Sequence, residues 1–376
     1  MRDFLSSLGR DWADAEPNPL TALKRRLEAQ GHDVIDLVGA NLHEHGLVFP
    51  ADRLAEIAAL ALPQTAVYRP HPLGQAAARE AVSAWYFRRG VAISPECVML
   101  TPGTSLAYWY LFRVLLEAGD EVLVPHPGYP LFGDICALAG VRGRFYHLRA
   151  VDGGWRPDFE DLAFQVTRRT RAVVVVSPHN PLGTVFREDE WDALREICEQ
   201  GSLALIHDEV FSEFLVDDRV LPRPREFPLS FSLNGASKML SLPGLKLGWI
   251  AASGAHAQRA MRALEHVSDT FLPVGELAQA MAPALLAEAS VPSMLAEAYR
   301  ARRRVASKAL RFPVVEAEGG VYLCAQVSQD EDAFCEEALQ TRGVLVHPGH
   351  FYDLAGHFVF TCVAAPPTLT KGCARL

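Results

Sequence analysis

The chain has 376 residues, of which 49% are hydrophobic and 22% are charged, and its formal net charge at pH 7 is −9. This length and composition are those of an ordinary globular protein with room for two domains and a sizeable core. The acidic balance and the lack of a basic block in the sequence argue against nucleic acid as a partner.

Targeting signals and cysteine usage indicate the cellular compartment of the protein. The longest apolar runs, such as residues 172–176, are far shorter than the roughly 20 residues that a membrane-spanning helix needs. The first residues, M-R-D-F, lack the apolar stretch and the cleavage site of a signal peptide. Seven cysteines are scattered without a C-x-x-C pair, which predicts reduced thiols and neither a disulfide framework nor a zinc site. We therefore predict a cytoplasmic protein with no membrane partner and no metal.

The first part of the chain alternates helices with short connections. Capping residues and apolar spacing predict a strand over 33–38 and helices over 18–31, 50–62 and 75–87. The strand leads into Gly39, at an ordinary strand-to-loop turn or at a ligand contact. Tyr68 begins a loop that contains two prolines and ends in a glycine, directly before the third helix. Its side chain either packs locally or presents its hydroxyl to a ligand.

A strand predicted over 97–100 runs into the sequence T-P-G-T-S and then into an apolar helix that extends to residue 117. Gly103 lets the backbone approach a ligand closely, and the free N–H groups at the helix start are suited to an anion. Thr104 and Ser105 add hydroxyl donors. The same cap is common in proteins without a ligand, so this stretch alone predicts either a phosphate site or a plain helix start.

Three further predicted strands end in residues with possible roles in binding. The strands cover 121–124, 171–176 and 203–206, and they lead to Tyr129, Asn180 and Asp208 respectively. The valine run of the second strand is typical of a parallel strand that is buried on both faces. Taken singly, Tyr129 could be a packed turn residue, Asn180 part of a generic Asn-Pro turn, and Asp208 part of a metal or phosphate site. The lack of a G-x-x-x-x-G-K-[ST] loop in the sequence argues against the nucleotide version of that site.

The stretch from residue 230 to residue 249, SFSLNGASKMLSLPGLKLGW, carries the strongest signal. Lys238 follows a turn of small residues, and Lys246 follows eight residues later, behind Pro-Gly. Partial burial and a neighbouring cation would both disfavour the protonated amine of Lys238, so that it could act as a nucleophile near neutral pH. The alternative is a pair of surface lysines on a loop.

Beyond residue 253 the chain first predicts helices and then, in its last part, a small α+β unit. Helices are predicted over 255–267, 275–287, 299–310 and 330–342, and strands over 321–327, 344–347 and 357–363. No low-complexity linker precedes this unit in the sequence.

Together, the motif around Lys238 and the H-N-P-L-G-T sequence at Asn180 resemble the signatures of fold type I pyridoxal-phosphate (PLP) enzymes of the class I/II, aspartate aminotransferase-like family. The resemblance covers the chain from about Gly39 to its end. It implies an α/β, PLP-dependent transferase-like three-layer fold with a mostly parallel seven-stranded sheet. It further implies a large PLP-binding domain over 45–280 and a small α+β domain built from 1–44 and 281–376.

The resemblance also implies roles for individual residues. Lys238 would form a Schiff base with the cofactor, and Asp208 would pair with the protonated pyridine nitrogen. Tyr129 would stack on the pyridine ring, and Asn180 would donate a hydrogen bond to the ring oxygen. Tyr68 would bind the cofactor of the partner subunit through its hydroxyl, in a homodimer. The remaining cofactor-binding assignments are Gly103, Thr104, Ser105, Phe211, Ser237 and Lys246. Gly39 would line the substrate site.

The sequence departs from the family pattern at three places. Phe211 stands where the family has a tyrosine that donates a hydrogen bond to the ring oxygen, so Asn180 would carry that role alone. Residues 356–363 hold no arginine, although the family binds the substrate carboxylate with one there. We name His350 as the candidate replacement, with His347 or an arginine from elsewhere in the fold as further candidates. Alternatively, the substrate has no α-carboxylate at this position. Lys246 replaces an arginine that is more common at its position.

The resemblance implies an aminotransferase that moves an amino group between an amino donor, expected to be an amino acid, and a keto acid. A lyase or cyclase of the same fold is the alternative, and a non-catalytic PLP-binding sensor is a third possibility. The motifs leave open which donor and acceptor are used.

Overall fold

The computed structural model describes residues 4–152 and 154–376. The start of the M-R-D-F segment and residue 153 lie outside the described residues. The described strands, in chain order, are β1 (Ile35–Asp36), β2 (Val98–Thr101), β3 (Glu121–His126), β4 (Arg142–Val151), β5 (Gly154–Pro157), β6 (Thr170–Val176), β7 (Ala204–Asp208), β8 (Ser230–Gly235), β9 (Gly248–Ser253), β10 (Tyr322–Gln326), β11 (Val344–Leu345), β12 (His347–Pro348) and β13 (His357–Thr361).

The helices follow the same numbering. They are α1 (Ser7–Ala13), α2 (Pro19–Ala29), α3 (Ala51–Ala61), α4 (Ala76–Phe87), α5 (Thr104–Leu115), α6 (Phe132–Ala139), α7 (Phe159–Gln165), α8 (Glu188–Gly201), α9 (Ala236–Met239), α10 (Ala257–Asp269), α11 (Glu276–Ala287), α12 (Ser290–Ala309), α13 (Glu331–Arg342) and α14 (Pro366–Arg375). Among the described residues, no helix is both long and apolar enough to cross a membrane.

The central sheet of the described chain has eight strands in the order β2-β9-β8-β7-β6-β3-β4-β5. The five strands from β8 to β4 are parallel, whereas β9 runs antiparallel to both of its neighbours and β5 runs antiparallel to β4. The resemblance implied seven strands. The eighth is β5, a short edge strand in a hairpin with β4 that the sequence patterns did not predict.

Burial explains why the middle of the sheet is parallel and apolar. In β6 every residue except Arg171 is buried, as expected for a strand that is covered by helices on both faces. Strands β3, β6, β7 and β8 point the same way, so the segments that follow them emerge at one edge of the sheet. Open α/β sheets bind ligands at this edge.

A second group of strands involves both ends of the chain. Strand β1 pairs in parallel with β11, and β13 lies between β10 and β12 in an antiparallel three-stranded sheet. The pairing of β1 with β11 supports a small domain built from both chain ends. The boundaries at 44/45 and 280/281 stay predictions.

The predicted elements agree with the structure where local signals are strong. Helix α2 begins as expected, because Asn18 Oδ1 accepts a hydrogen bond from the Leu20 N–H at 2.9 Å and Pro19 occupies the first turn. Helix α12, in contrast, begins at Ser290 and not at residue 299. Its Pro292 lies in the first turn, where a missing N–H breaks no helical hydrogen bond. Helices α1, α6, α7, α8, α9 and α14 were not predicted.

Candidate active site

Lys238 lies in the short helix α9, directly after β8 at the ligand-binding edge of the sheet. Its side chain is half-buried, and its Nζ donates a hydrogen bond to the Ala40 carbonyl at 2.9 Å. Burial lowers the pKa of the Lys238 amine from its ordinary value. The charge of Lys246 is not among the causes of this change, so burial alone accounts for the predicted ease of deprotonation. The amine can therefore serve as a nucleophile and as a base.

Two glycines let the backbone segments around Lys238 come together. A Cβ at Gly235 would lie 2.8 Å from the Gly248 Cα, and a Cβ at Gly248 would lie 3.0 Å from the Gly103 Cα. Real side chains do not tolerate such contacts with backbone. The turn that carries Lys238, strand β9 and the start of α5 can thus pack against one another because Gly235 and Gly248 lack side chains.

The cavity that Lys238 enters has a volume of about 280 Å³. Nearly all of the cofactor-binding residues assigned from the sequence line it. They are Gly103, Thr104, Ser105, Tyr129, Asn180, Asp208, Phe211, Ser237 and Lys246.

One end of this cavity is suited to an anion. Helix α5 begins at Thr104, and no side chain caps its first turn, so its N–H groups are available to a ligand. Gly103 precedes it with a φ of +111°, a conformation that side chains disfavour. Ser237 adds a hydroxyl, and Lys246 adds a positive charge. N–H groups, hydroxyls and a point cation together fit a phosphate.

Asp208 lies at the carboxyl end of β7 and is 7% exposed. Its Oδ2 accepts a hydrogen bond from the Tyr108 hydroxyl at 2.9 Å, and its Oδ1 accepts one from the Val210 N–H at 2.9 Å. Burial raises the pKa of Asp208 to about 6, although both hydrogen bonds oppose that rise. A carboxylate that costs free energy to ionise is ready to pair with a cation on a ligand.

The remaining walls are aromatic or amide groups. Burial raises the pKa of Tyr129, as does the nearby Asp208, and a hydrogen bond with the Ser105 hydroxyl opposes both. Asn180 is buried, and its Oδ1 has no hydrogen-bond partner among the described residues. A buried amide oxygen without a partner is rare in proteins and indicates a site that a ligand completes. Phe211 is also buried and contributes an apolar ring.

Tyr322 also lines this cavity, although no sequence motif assigned it to the site. It lies at the start of β10, in the part of the chain assigned to the other domain. Its ring centroid is 6.2 Å from that of Phe211 in an edge-to-face arrangement. The G-G-V-Y sequence before β10 was the available signal, but it resembles any glycine-led strand start.

Tyr68 and Gly39, which were assigned from the sequence, lie outside the cavity wall. Tyr68 is 70% exposed and lines a separate, small pocket together with Glu276 and Gln279. Gly39 is adjacent in sequence to Ala40, the residue whose carbonyl contacts Lys238, and the Gly39 carbonyl accepts a hydrogen bond from the Thr361 hydroxyl at 3.1 Å.

The structure does not bring His350 to Lys238. His350 lines a different cavity between α2 and α13, where its Nδ1 lies 3.4 Å from Glu331 Oε1 and 3.5 Å from Asp332 Oδ2. Two carboxylates at this distance would repel a substrate carboxylate. The assignment of His350 to the substrate site is therefore withdrawn. The second candidate, His347, has its pKa lowered to about 4 by burial, so it is neutral at pH 7.

Among the described residues, no group of three or more His, Cys, Asp or Glu side chains could hold a metal ion. The seven cysteines are buried, and none forms a disulfide.

The chain is similar to known proteins along most of its length. A family model described as aminotransferase class I and II matches residues 33–376. The chain is 30% identical over 319 residues to an arginine–pyruvate transaminase of Pseudomonas aeruginosa, in a match that covers 81% of this chain and 80% of that protein. It is 32% identical over 261 residues to an alanine aminotransferase of Mycobacterium tuberculosis, covering 67% and 58% respectively. A solved aspartate aminotransferase structure from Thermus thermophilus with maleate has a TM-score of 0.87 and 26% identity, and the match covers 99% of each chain.

Proposed function

Because the chain belongs to the aminotransferase class I and II family, we propose that Lys238 is the residue through which it transfers amino groups. The protein is a PLP-dependent aminotransferase with the aspartate aminotransferase-like fold. The observation that carries the assignment of Lys238 is its half-buried amine, whose pKa is lowered, in a cavity that also contains an anion site and a buried carboxylate.

The residues of the cavity fit the cofactor. The start of α5 with Ser237 and Lys246 would hold its phosphate, and Asp208 would hold its ring nitrogen. The unpaired Asn180 amide oxygen indicates a site that a ligand completes, and the amide NH₂ carries two N–H donors, one of which would donate to the ring oxygen. Tyr129 would lie against the ring face. When bound, PLP supplies an electron sink for the bonds around the substrate amine carbon.

The chain's own groups would move and hold the protons. The freed Lys238 amine would take a proton from the substrate carbon and return it at the neighbouring position, which its lowered pKa favours. The Ala40 carbonyl, 2.9 Å from Nζ, would orient the amine between these steps. Asp208 would stay ionised opposite a cation and keep the ring nitrogen protonated.

The substrate pair is an amino donor and a keto acid, as in the family. The relatives' names include pyruvate as a partner substrate, and we propose a keto acid of that size as the acceptor. Strand β13 has no arginine, and Lys238 and Lys246 are the cations among the described residues that line the cavity. With Lys246 on the phosphate, we expect this chain to bind the substrate carboxylate more weakly than an arginine fork would.

We further propose a homodimer in which Tyr68 reaches the partner's site. Tyr68 is exposed in the single chain, and several apolar side chains close to it in sequence are exposed as well. They are Leu60 at 68%, Leu62 at 59% and Val67 at 54%. Exposed apolar groups of this kind are typical of a surface that another subunit covers. A cytoplasmic location also stays a proposal, supported by seven unpaired cysteines.

A single-turnover experiment tests the proposed function. The PLP-loaded enzyme is mixed with an amino acid in the absence of any keto acid, and the keto acid formed is quantified. We expect about one equivalent per Lys238 site and then no further product, until added pyruvate restarts turnover. Continued product formation without an acceptor would contradict transamination and would indicate a lyase. The Lys238→Ala variant is the control and should form no product.

A further inference from the structure

The site lacks a hydroxyl at position 211 and has an additional one at position 322. Phe211 is 4% exposed and offers only carbon atoms to the cavity. The Tyr322 ring approaches it edge to face, at 6.2 Å and an interplanar angle of 86°. Both rings line the cavity that contains Lys238 and Asp208. A phenol is therefore present beside the position where the family pattern would have one, but it comes from a different strand.

The Tyr322 hydroxyl lies next to the Asn180 amide. Burial raises the pKa of Tyr322, and the Asn180 side chain opposes that rise as a hydrogen-bond donor to the phenol oxygen. A tyrosine hydroxyl can accept one hydrogen bond and donate another. With its oxygen next to the amide, the Tyr322 O–H remains available for a ligand in the cavity. The other titratable groups that line this cavity are Tyr129, Asp208, Lys238 and Lys246.

Backbone hydrogen bonds hold the start of β10 against the segments that carry Asn180 and Phe211. The N–H groups of Glu318 and Gly319 both donate to the Gly183 carbonyl at 2.9 Å, and the Gly320 N–H donates to the Phe214 carbonyl at 2.9 Å. Gly183 ends the turn that begins at Asn180, and Phe214 lies three residues after Phe211.

Close packing makes this attachment specific. A Cβ at Gly183 would lie 2.4 Å from the Gly319 carbonyl oxygen, and one at Gly319 would lie 2.8 Å from the Pro178 side chain. Glu318 adds an ion pair with Arg156 at 2.7 Å and another with Arg219 at 2.7 Å. Tyr322 thus belongs, by its contacts, to the wall of the cofactor cavity.

We propose that Tyr322 donates the hydrogen bond to the ring oxygen of PLP that Phe211 cannot donate, and that it does so beside Asn180. Tyr322 contacts the cofactor in this arrangement and sets the state of its chromophore. This inference depends on the proposed function, because it requires PLP in the Lys238 cavity.

The test uses the PLP-loaded enzyme and the pH midpoint of its visible absorbance change, measured without substrate. A hydrogen bond to the ring oxygen stabilises its anionic form and lowers the pH at which the chromophore loses its proton. Tyr322→Phe should therefore raise the midpoint by about one pH unit or more, as expected for loss of a hydrogen bond to a charged group. Phe211→Tyr should shift the midpoint little in the wild-type background but should lower it again in the Tyr322→Phe background.

Tyr352→Phe is the matched control. The Tyr352 ring is 6.0 Å from that of Tyr322, but Tyr352 is not part of the cavity wall, and its hydroxyl lies 3.4 Å from His347 Nδ1. The pH midpoint of the absorbance change in the Tyr352→Phe variant should equal that of the wild type. Equal midpoints for Tyr322→Phe and Tyr352→Phe would overturn the role of Tyr322, as would an equal effect of Phe211→Tyr in both backgrounds. A wild-type enzyme with no cofactor absorbance on Lys238 would overturn the proposed function and this inference together.

Discussion

Replacing Asp208 with asparagine should stabilise the cofactor-free protein while it weakens cofactor binding. Burial raises the pKa of this carboxyl from its ordinary 3.8 to about 6. The folded state therefore binds the proton more tightly than the unfolded state, and stability declines as the pH rises from 3.8 through 6. A difference of one in pKa corresponds to about 1.4 kcal/mol, so the ionised carboxylate costs about 3 kcal/mol above pH 6.

The amide removes this cost and retains the local contacts. Asparagine Oδ1 can still accept from the Val210 N–H, and its NH₂ can donate to the Tyr108 hydroxyl oxygen, because a tyrosine hydroxyl both donates and accepts. We expect the free energy of unfolding of the cofactor-free Asp208→Asn variant to exceed that of the wild type by about 1 to 3 kcal/mol at pH 8. The gain should grow by about 1.4 kcal/mol between pH 5 and pH 8, as the wild-type carboxyl ionises.

Cofactor affinity should change in the opposite direction. Loss of a charged hydrogen-bond partner for the ring nitrogen costs about 1.5 to 3 kcal/mol, which is roughly a tenfold to hundredfold increase in the dissociation constant. Urea unfolding of the cofactor-free protein at pH 5 and pH 8 measures the first effect, and equilibrium dialysis against PLP measures the second.

Asp161→Asn is the control, because its expected change in the free energy of unfolding has the opposite sign. Asp161 has a lowered pKa, because hydrogen bonds from Gln165 and His147 outweigh the effect of burial. That variant should lose stability at pH 8 and leave the affinity for PLP unchanged. If the stability gain of Asp208→Asn does not grow between pH 5 and pH 8, burial does not raise the pKa of Asp208 as described. If the variant binds PLP as tightly as the wild type, the Asp208 carboxylate does not hold the ring nitrogen of the cofactor.

Three further predictions concern the cofactor, the subunits and the substrate. Borohydride reduction followed by peptide mapping should find PLP on Lys238, and the label should persist in Lys246→Ala; a label on any other lysine would refute the assignment. Light scattering should give the mass of two chains, and a fully active single chain would contradict the shared site at Tyr68. The rate at which the cofactor spectrum changes should differ by less than about tenfold between an L-amino acid and its decarboxylated amine, because no arginine fork is available from β13. A preference of roughly a hundredfold or more for the acid would show that another cation binds the carboxylate.

The sequence alone could identify most of the cavity because each of those residues belongs to a short motif at a strand end. Asn180 and Lys238 follow β6 and β8, and Asp208 is the last residue of β7. These neighbouring parallel strands bring their carboxyl ends to the same edge. Once the strands are recognised, the grouping follows from sheet geometry. The glycines at 235 and 248 follow from the same closeness of backbone segments.

Tertiary structure decided what the local motifs could not. Tyr108 contacts Asp208 across 100 residues of chain, and Tyr322 reaches the cavity because backbone hydrogen bonds from Gly319 and Gly320 tie β10 to distant turns. His350 was close to β13 in sequence, but the 3₁₀ turn that carries it places its side chain beside Glu331 instead of beside Lys238. Local patterns predict what a residue can do, whereas long-range packing decides which residues meet. In this protein the strand-end motifs indicated the fold and the cofactor, and packing between distant segments decided which hydroxyls and charges surround the site.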